Sequence, residues 1–268
     1  MTHPATIRVE WSYKPADFFE SDDEIAHAGF RLDRARGVIS FEETAEQFDS
    51  SPDRAKALGV ELTNRLLAIQ LLARKRFVLE ALRVMRLGAD SGSTISVQLE
   101  GSEVAVATDG VHVVKLDADG NTVFDSKAQA IAERVRLSHL SSKYLPEDRV
   151  LGAMLRSYDM SVRDSANELV HLYEIWDALA SWPPDRKKVH SLLGTKPEME
   201  SRFQHLCNLG NLRQGRHRGQ GKAPRDATAQ ELAEARSIAL AFVEAYLNYR
   251  ERGATPTEPR TAPRIRAI

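Results

Sequence analysis

The chain has 268 residues, of which 42% are hydrophobic, and its 37 basic residues nearly balance its 38 acidic ones. This composition excludes a fully disordered chain, and the net charge of -1 excludes a general attraction to nucleic acid or to an anionic membrane. A single cysteine, Cys207, excludes an internal disulfide and a cysteine-rich zinc site.

The N-terminal residues and the most apolar segment carry no signal for export or membrane insertion. Charged residues interrupt the first apolar stretch of MTHPATIRVEWSYK, so no signal peptide is predicted. The apolar run over residues 66–73 ends at Arg74 and is far too short to span a bilayer. We therefore expect a soluble, cytoplasmic protein that does not associate with a membrane.

The first half of the chain is predicted to consist mainly of antiparallel strands, because short alternating segments are separated by turn residues. The predicted strands cover residues 6–13, 29–33, 37–41, 104–107, 111–116 and 122–124. Asp109-Gly110 is a hairpin signal, and a second turn is predicted over residues 117–121. The segment 58–85 is compatible with a helix or a strand, and a strand followed by a short turn is favoured.

From Lys127 onward the apolar residues recur every three or four positions, which predicts helices. The predicted helices cover residues 128–140, 146–158, 164–182, 185–193, 198–209 and 228–252. The last one begins with a capping box formed by Thr228 and Glu231.

The sequence therefore predicts an α+β protein. An antiparallel β-rich domain over residues 1–126 precedes an all-α helical bundle over residues 127–252, and the proline-rich residues 253–268 are predicted to be a disordered tail.

Charge is unevenly distributed along the chain. Residues 1–53 contain twelve acidic and five basic residues, for a net charge of -7, whereas residues 201–225 contain six basic residues and no acidic one. We call residues 201–225 the basic segment. Such a distribution steers an anionic ligand to one end of the molecule, or lets the two regions pack against each other within or between chains.

No pattern in the sequence fits a metal or cofactor site. Residues 117–121 are similar to the start of a calcium loop, but the twelfth position is Ala128 instead of the required glutamate. The histidines lack zinc-site spacing, and neither a glycine-rich phosphate loop nor a serine nucleophile elbow occurs. We predict no metal and no cofactor.

The helix predicted over residues 164–182 carries a polar stripe opposite its apolar face. Its members are Asp164, Asn167, Glu168, His171, Glu174 and Asp177. One interpretation is a solvated face. In the other, His171 and Glu174 meet the basic segment, where a carboxylate beside Arg216 and His217 would anchor the guanidinium and hold the imidazole in one tautomer.

The octapeptide LRQGRHRG, residues 212–219, contains three of the arginines of the basic segment together with His217 and two glycines. It is compatible with a solvated surface loop, with a phosphate clamp of arginine forks, or with a catalytic centre. In a catalytic centre arginine would stabilise a phosphorane while His217 transfers a proton without a metal. Composition alone favours binding over cleavage.

The C-terminal half resembles a known family. ELVHLYEIWDAL (168–179), VHSLLG (189–194) and FQHLCNLGNLRQGRHRG (203–219), followed by a long helix, are similar to the HEPN superfamily, particularly its Apea-like branch. The resemblance covers roughly residues 145–250. It implies an up-and-down helical bundle that often dimerises through its helices, and the exposed tyrosines expected at 246 and 249 would suit a homodimer.

The resemblance also implies a function. Many members are metal-independent endoribonucleases, and hence hydrolases, of toxin or antiviral-defence systems, whereas others are non-catalytic binding or assembly modules. His217 matches the family histidine, Arg216 its neighbour and Asn208 the asparagine at the helix end. Arg213 matches loosely, because three residues separate it from His217 where the family has four to six.

The leading hypothesis is therefore an RNA-acting protein that cleaves RNA. Its predicted catalytic residues are Arg213, Arg216, His217 and Glu174. Its predicted nucleic-acid-binding residues are Arg202, Asn208, Arg218, Lys222, Arg225 and His171. The alternatives are a non-catalytic module that binds nucleic acid, a nucleotide or a partner protein, and a structural role in which the basic segment docks onto the acidic N-terminal half.

Overall fold

The structure, a computed structural model, describes residues 5–87, 93–98, 114–116, 122–218 and 223–253. The chain divides into two compact units, residues 1–142 and 143–268. The first contains an antiparallel sheet and the second is helical, so the predicted α+β class is confirmed.

The first unit is organised around a five-stranded antiparallel sheet in the order β2-β3-β1-β4-β5. Its strands are β1 (Thr6–Lys14), β2 (Phe30–Asp33), β3 (Val38–Thr44), β4 (Val78–Leu87) and β5 (Ser93–Gln98). In β1 the apolar Ile7, Val9 and Trp11 alternate with the polar Arg8, Glu10 and Ser12, as a strand with one apolar face requires.

A separate two-stranded pair is formed by β6 (Val114–Leu116) and β7 (Thr122–Asp125). The second of these corresponds to the strand predicted over residues 122–124. The strand predicted over residues 104–107 and the turn predicted over residues 117–121 lie outside the described residues.

The strand predicted at the start of the segment 58–85 is wrong. A short helix, α1 (Ala45–Asp49), is followed by a long one, α2 (Arg54–Ala73), and the chain becomes extended only at β4. The fully buried Leu58, Leu62, Leu66 and Ile69 recur every three or four residues and pack into the core of the sheet unit. Their helical spacing, with the long apolar side chains that helices tolerate well, outweighs the possibility of a strand.

The chain divides between the units after residue 142, within helix α3 (Ser126–Tyr144), which is later than the predicted boundary at residue 126. Arg134 of α3 lies 2.7 Å from a carboxylate oxygen of Glu20 and 3.4 Å from one of Glu24, and the Ser141 hydroxyl donates to the backbone oxygen of Asn64. Because these contacts join most of α3 to the sheet unit, the helix is assigned to that unit and not to the C-terminal one.

The second unit is built from helices at the predicted positions. They are α4 (Arg149–Arg163), α5 (Glu168–Ser181), α6 (Val189–Leu193), α7 (Pro197–Asn208) and α8 (Ala229–Glu251). Helix α5 packs on α4, α7 and α8, and the buried rings of Trp176, Phe203 and Phe242 meet between them. Among the described residues, no helix is long and apolar enough to cross a membrane.

Helix α8 has the predicted capping box but not the predicted exposed tyrosine. Its capping box is formed, since the Thr228 hydroxyl accepts from the backbone NH of Glu231 and the Glu231 carboxylate accepts from that of Thr228. Tyr246, expected at an exposed end, is instead fully buried and contacts Trp182 edge-on, so it offers no surface for a homodimer. Residues 254–268, where the disordered tail was predicted, lie outside the described residues.

Candidate nucleic-acid interface

The candidate site is the turn that follows α7, here called the arginine loop (residues 209–218). Buried Leu212 holds the loop in the C-terminal unit, and the backbone NH of Arg216 donates to the carbonyl of Cys207 at 3.0 Å. A Cβ atom at Gly215 would lie 3.2 Å from the carbonyl oxygens of Cys207 and Leu209, so the tight turn favours glycine there. The loop is thus a defined structure rather than an irregular basic stretch.

Two arginines of the loop are attached to α5 and to the residue before it. The guanidinium of Arg216 lies over the ring of Tyr173, 4.1 Å from its centroid, and one of its nitrogens is 3.6 Å from an oxygen of Asp177. Arg218 donates to the carboxamide oxygen of Asn167 at 2.5 Å. The polar stripe therefore contacts the arginine loop through Asp177 and Asn167, and not through His171 and Glu174 as predicted.

His217 lies between these two attached arginines. Its side chain is exposed, and it forms no hydrogen bond or ion pair with any described residue. Attachment of the flanking residues restricts the position of the loop while leaving the imidazole accessible to a ligand.

The carboxylate beside the loop differs from the expected one. Glu174 does not contact Arg216 or His217; one of its oxygens lies 3.4 Å from Nδ1 of His171, whose Nε2 lies 3.4 Å from Asp164. Asp177, one helical turn further along α5, takes the predicted place of Glu174 beside Arg216. Tyr173 and Asp177 are four residues apart and share one face of α5, whereas Glu174 lies on a different face, so a guanidinium stacked on Tyr173 is near Asp177.

The other predicted arginines of the basic segment are paired with carboxylates of their own unit. Arg213 lies 3.4 Å from Asp226, whereas Arg225 and Arg202 make contacts of 2.6 Å with Glu231 and Glu234 respectively. Three of the six basic residues of the basic segment are therefore paired with acids that follow it in the chain. A phosphate would have to compete with these acids for the guanidinium groups.

Asn208, another predicted binding residue, is less available than the arginines. The side-chain oxygen of Asn208 is buried at the end of α7 and makes no hydrogen bond with a described residue, so it does not face a ligand at the surface. Lys222 lies outside the described residues.

The polar stripe is not wholly solvated, because Glu168 is buried and paired with Arg236 of α8.

The Cys207 thiol beside the arginine loop cannot act as a nucleophile at neutral pH. Burial raises the pKa of the Cys207 thiol to about 12, despite the opposing charge of Arg216, so the thiol is neutral at pH 7 and is not a nucleophile. Burial also raises the pKa of Asp177, against the opposing effects of Arg216 and Arg186.

Among residues in the described ranges, no three His, Cys, Asp or Glu side chains are grouped so that they could hold a metal ion.

Sequence reasoning missed the role of Tyr173 in the site. Its position on the apolar face of α5 correctly predicts a core residue, and it is 6% exposed. Its ring also supports the guanidinium of Arg216, which lies over it. The available signal was the pair of Tyr173 and Asp177, four residues apart on one helix, which together offer an aromatic face and a carboxylate to one guanidinium.

The Glu231 ion pair leads to a pH prediction. Hydrogen bonds from Arg225 and from the Thr228 cap lower the pKa of Glu231 to about 2, below the ordinary value of about 4.3 in an unfolded chain. Its contribution to stability is therefore complete above about pH 4.3 and is lost as the pH falls toward 2.

We expect Glu231→Gln to lower the melting temperature at pH 7 and to differ little from the wild type at pH 2, as measured by circular dichroism. Glu198→Gln, an exposed change in the first turn of α7, serves as the control. An equal loss of stability at both pH values would contradict the assigned role of Glu231.

Comparison with models of protein families, with curated protein sequences and with solved structures finds no match to this chain.

Proposed function

We propose that the protein acts on RNA at the arginine loop, and that His217 promotes cleavage of the phosphodiester bond without a metal. One observation carries the proposal: Arg216 and Arg218 are attached to α5 or the residue before it, while the imidazole of His217 between them is exposed and without a described partner. The resemblance of this region to HEPN endoribonucleases of toxin and antiviral systems agrees with the same chemistry.

The reaction is an internal transesterification. Neutral His217 takes the proton of a ribose 2′-hydroxyl, the 2′-oxygen attacks phosphorus, and the bond between phosphorus and the 5′-oxygen breaks. The 5′-oxygen takes up a proton from the imidazolium or from water, which leaves a 2′,3′-cyclic phosphate and a 5′-hydroxyl end. Arg216 stabilises the negative charge that develops on the phosphoryl oxygens.

The guanidinium of Arg216 is suited to this role by its surroundings. Tyr173 supports one face of the group, and Asp177 at 3.6 Å is too distant for a normal hydrogen bond. The NH groups of Arg216 are therefore oriented but not saturated, so a phosphate competes with a weak contact. By contrast, the 2.6 Å contacts of Arg202 and Arg225 give these residues little capacity to bind phosphate.

A second candidate function is RNA binding without cleavage. The observation that favours it is that Glu174 pairs with His171. No described carboxylate then contacts the ring of His217, so none selects the imidazole tautomer that a proton-transfer group needs. In this case the arginine loop and Asn167 form a phosphate-binding surface, and no bond of the RNA is broken.

The decisive experiment uses a DNA oligonucleotide that contains one ribonucleotide. Full-length protein is incubated in EDTA with this substrate and with an all-DNA control of the same sequence. We expect cleavage only at the ribonucleotide, with a 2′,3′-cyclic phosphate end. No cleavage of this substrate or of longer structured RNAs, together with saturable RNA binding, would favour the second candidate, whereas the absence of both activities would refute both.

A further inference from the structure

A concave polar surface lies on the face of the N-terminal sheet opposite the apolar core. It contains a cleft of about 380 Å³ lined by Glu10, Trp11, Ser12, Arg36, Val38 and Arg83. A neighbouring cleft of about 370 Å³ shares Glu10, Arg36 and Val38 with it. Both volumes fall within the range of small-molecule sites in proteins.

The base of this surface contains a carboxylate that lacks a close partner. The side chain of Glu10 is only 8% exposed, which is rare for an acidic residue that is not paired. Among the described residues its ionic contact is with Arg8, at 3.8 Å, beyond hydrogen-bond distance. Arg8 is itself held by Glu42 at 2.6 and 2.5 Å, so the oxygens of Glu10 are available to other donors.

Two arginines line the same cleft without a strong partner. The antiparallel register places Arg83 of β4 directly opposite Glu10 of β1, so their side chains lie on the same face of the sheet. Arg83 is exposed and pairs with no carboxylate of the described residues. The guanidinium of Arg36 lies 3.9 Å from a carboxylate oxygen of Asp33, which is a weak contact.

We propose that this cleft binds a small phosphorylated sugar, with its phosphate on Arg36 and Arg83 and its hydroxyl groups on Glu10. Guanidinium forks match the geometry of phosphate oxygens. An ionised carboxylate only accepts hydrogen bonds, so buried Glu10 requires donors, and sugar hydroxyls provide them. A nucleotide and a simple sugar phosphate share this chemistry. The site belongs to the N-terminal unit and is independent of the function proposed for the arginine loop.

The test is calorimetric titration of the full-length protein with ribose 5-phosphate, AMP, ribose, adenosine and inorganic phosphate. We expect saturable binding of a phosphorylated sugar, no binding of ribose or adenosine, and binding of inorganic phosphate that is weaker by about tenfold or more. Similar affinities for ribose 5-phosphate and AMP would identify the sugar phosphate as the recognised group, whereas a clear preference for AMP would identify a nucleotide.

Variants distinguish a specific binding site from general electrostatic attraction of the phosphate. Arg83→Gln should weaken binding by about tenfold or more, and Glu10→Gln should remove the preference over inorganic phosphate. Arg86→Gln removes the same charge from the same strand at a residue that pairs with Asp49 and lines neither cleft, so it should leave affinity unchanged.

Three outcomes would overturn the proposal: no saturable binding of either phosphorylated sugar, equal weakening by Arg83→Gln and Arg86→Gln, or inorganic phosphate binding as tightly as the sugar phosphates. Because Arg83 is exposed, its variant remains informative even if Glu10→Gln does not fold.

Discussion

Replacement of His217 by alanine is expected to reduce the rate of metal-independent RNA cleavage by about 10²–10⁴-fold, the usual contribution of a positioned proton-transfer group. The side chain is exposed and has no described partner, so its removal should change the free energy of unfolding by less than about 0.5 kcal/mol. The loss of activity would therefore not result from unfolding. Single-turnover cleavage in EDTA and thermal unfolding of the same preparation measure the two quantities.

His205→Ala is the matched control. His205 is also exposed, has no hydrogen bond or ion pair with a described residue, and lies on α7 outside the arginine loop. It should cleave at the wild-type rate. Equal rates for His217→Ala and the wild type would eliminate His217 as the proton-transfer group, and a matching loss in His205→Ala would point to an indirect effect.

RNA binding provides an independent measurement on the same variants. His217→Ala should bind RNA nearly as well as the wild type, because Arg216 and Arg218 keep their contacts to Tyr173, Asp177 and Asn167. Retained binding without cleavage would distinguish loss of proton transfer from loss of the binding surface.

Replacement of Asp148 by alanine is expected to lower the free energy of unfolding by about 3–5 kcal/mol, as removal of one partner of a buried ion pair typically does. The carboxylate of Asp148 accepts from the backbone NH groups of Val150 and Leu151 at the start of α4. It also accepts from the Tyr246 hydroxyl at 3.0 Å and lies 2.7 Å from Arg250. Alanine would remove the helix cap and leave the guanidinium without its counterion.

Tyr246→Phe is the control for Asp148→Ala, because it removes one hydrogen bond to the same carboxylate and keeps the ion pair. Burial and the charge of Asp148 raise the pKa of the Tyr246 hydroxyl, so it remains protonated and acts as a donor. This variant should cost about 1 kcal/mol. Urea unfolding, followed through Trp176 and Trp182 of the same unit, measures both changes. Equal effects of the two variants would show that the buried ion pair contributes little.

Much of the secondary structure could be predicted from the sequence. Alternation over residues 6–13 predicted β1, and periodic apolar residues predicted the helices of the second unit. The capping box of Thr228 and Glu231 lies within four residues, so both partners could be identified without knowledge of the fold. Helix α2 was missed because the apolar run over residues 66–73 suits a buried strand as well as a helix, and packing against the sheet decides between them.

The candidate site could be located but its contacts could not be predicted. The sequence identified the arginine loop and the polar stripe of α5. It indicated neither that Asp177 replaces Glu174 beside Arg216 nor that Arg202 and Arg225 are paired with carboxylates of α8. The cleft around Glu10 was also not predicted, because β1, β4 and the β2–β3 turn contribute to it from distant parts of the chain.

By itself the sequence determined the α+β class, most of the helix positions and the position of the basic segment. Each of these depends on the order of neighbouring side chains. Only the tertiary structure decided which charges are neutralised and which side chains remain available. Arg218 and Asn167 are 51 residues apart, and Glu10 of β1 lies opposite Arg83 on the neighbouring strand β4. Such contacts depend on how helices and strands pack, and packing depends on the whole apolar core of a unit rather than on any local pattern.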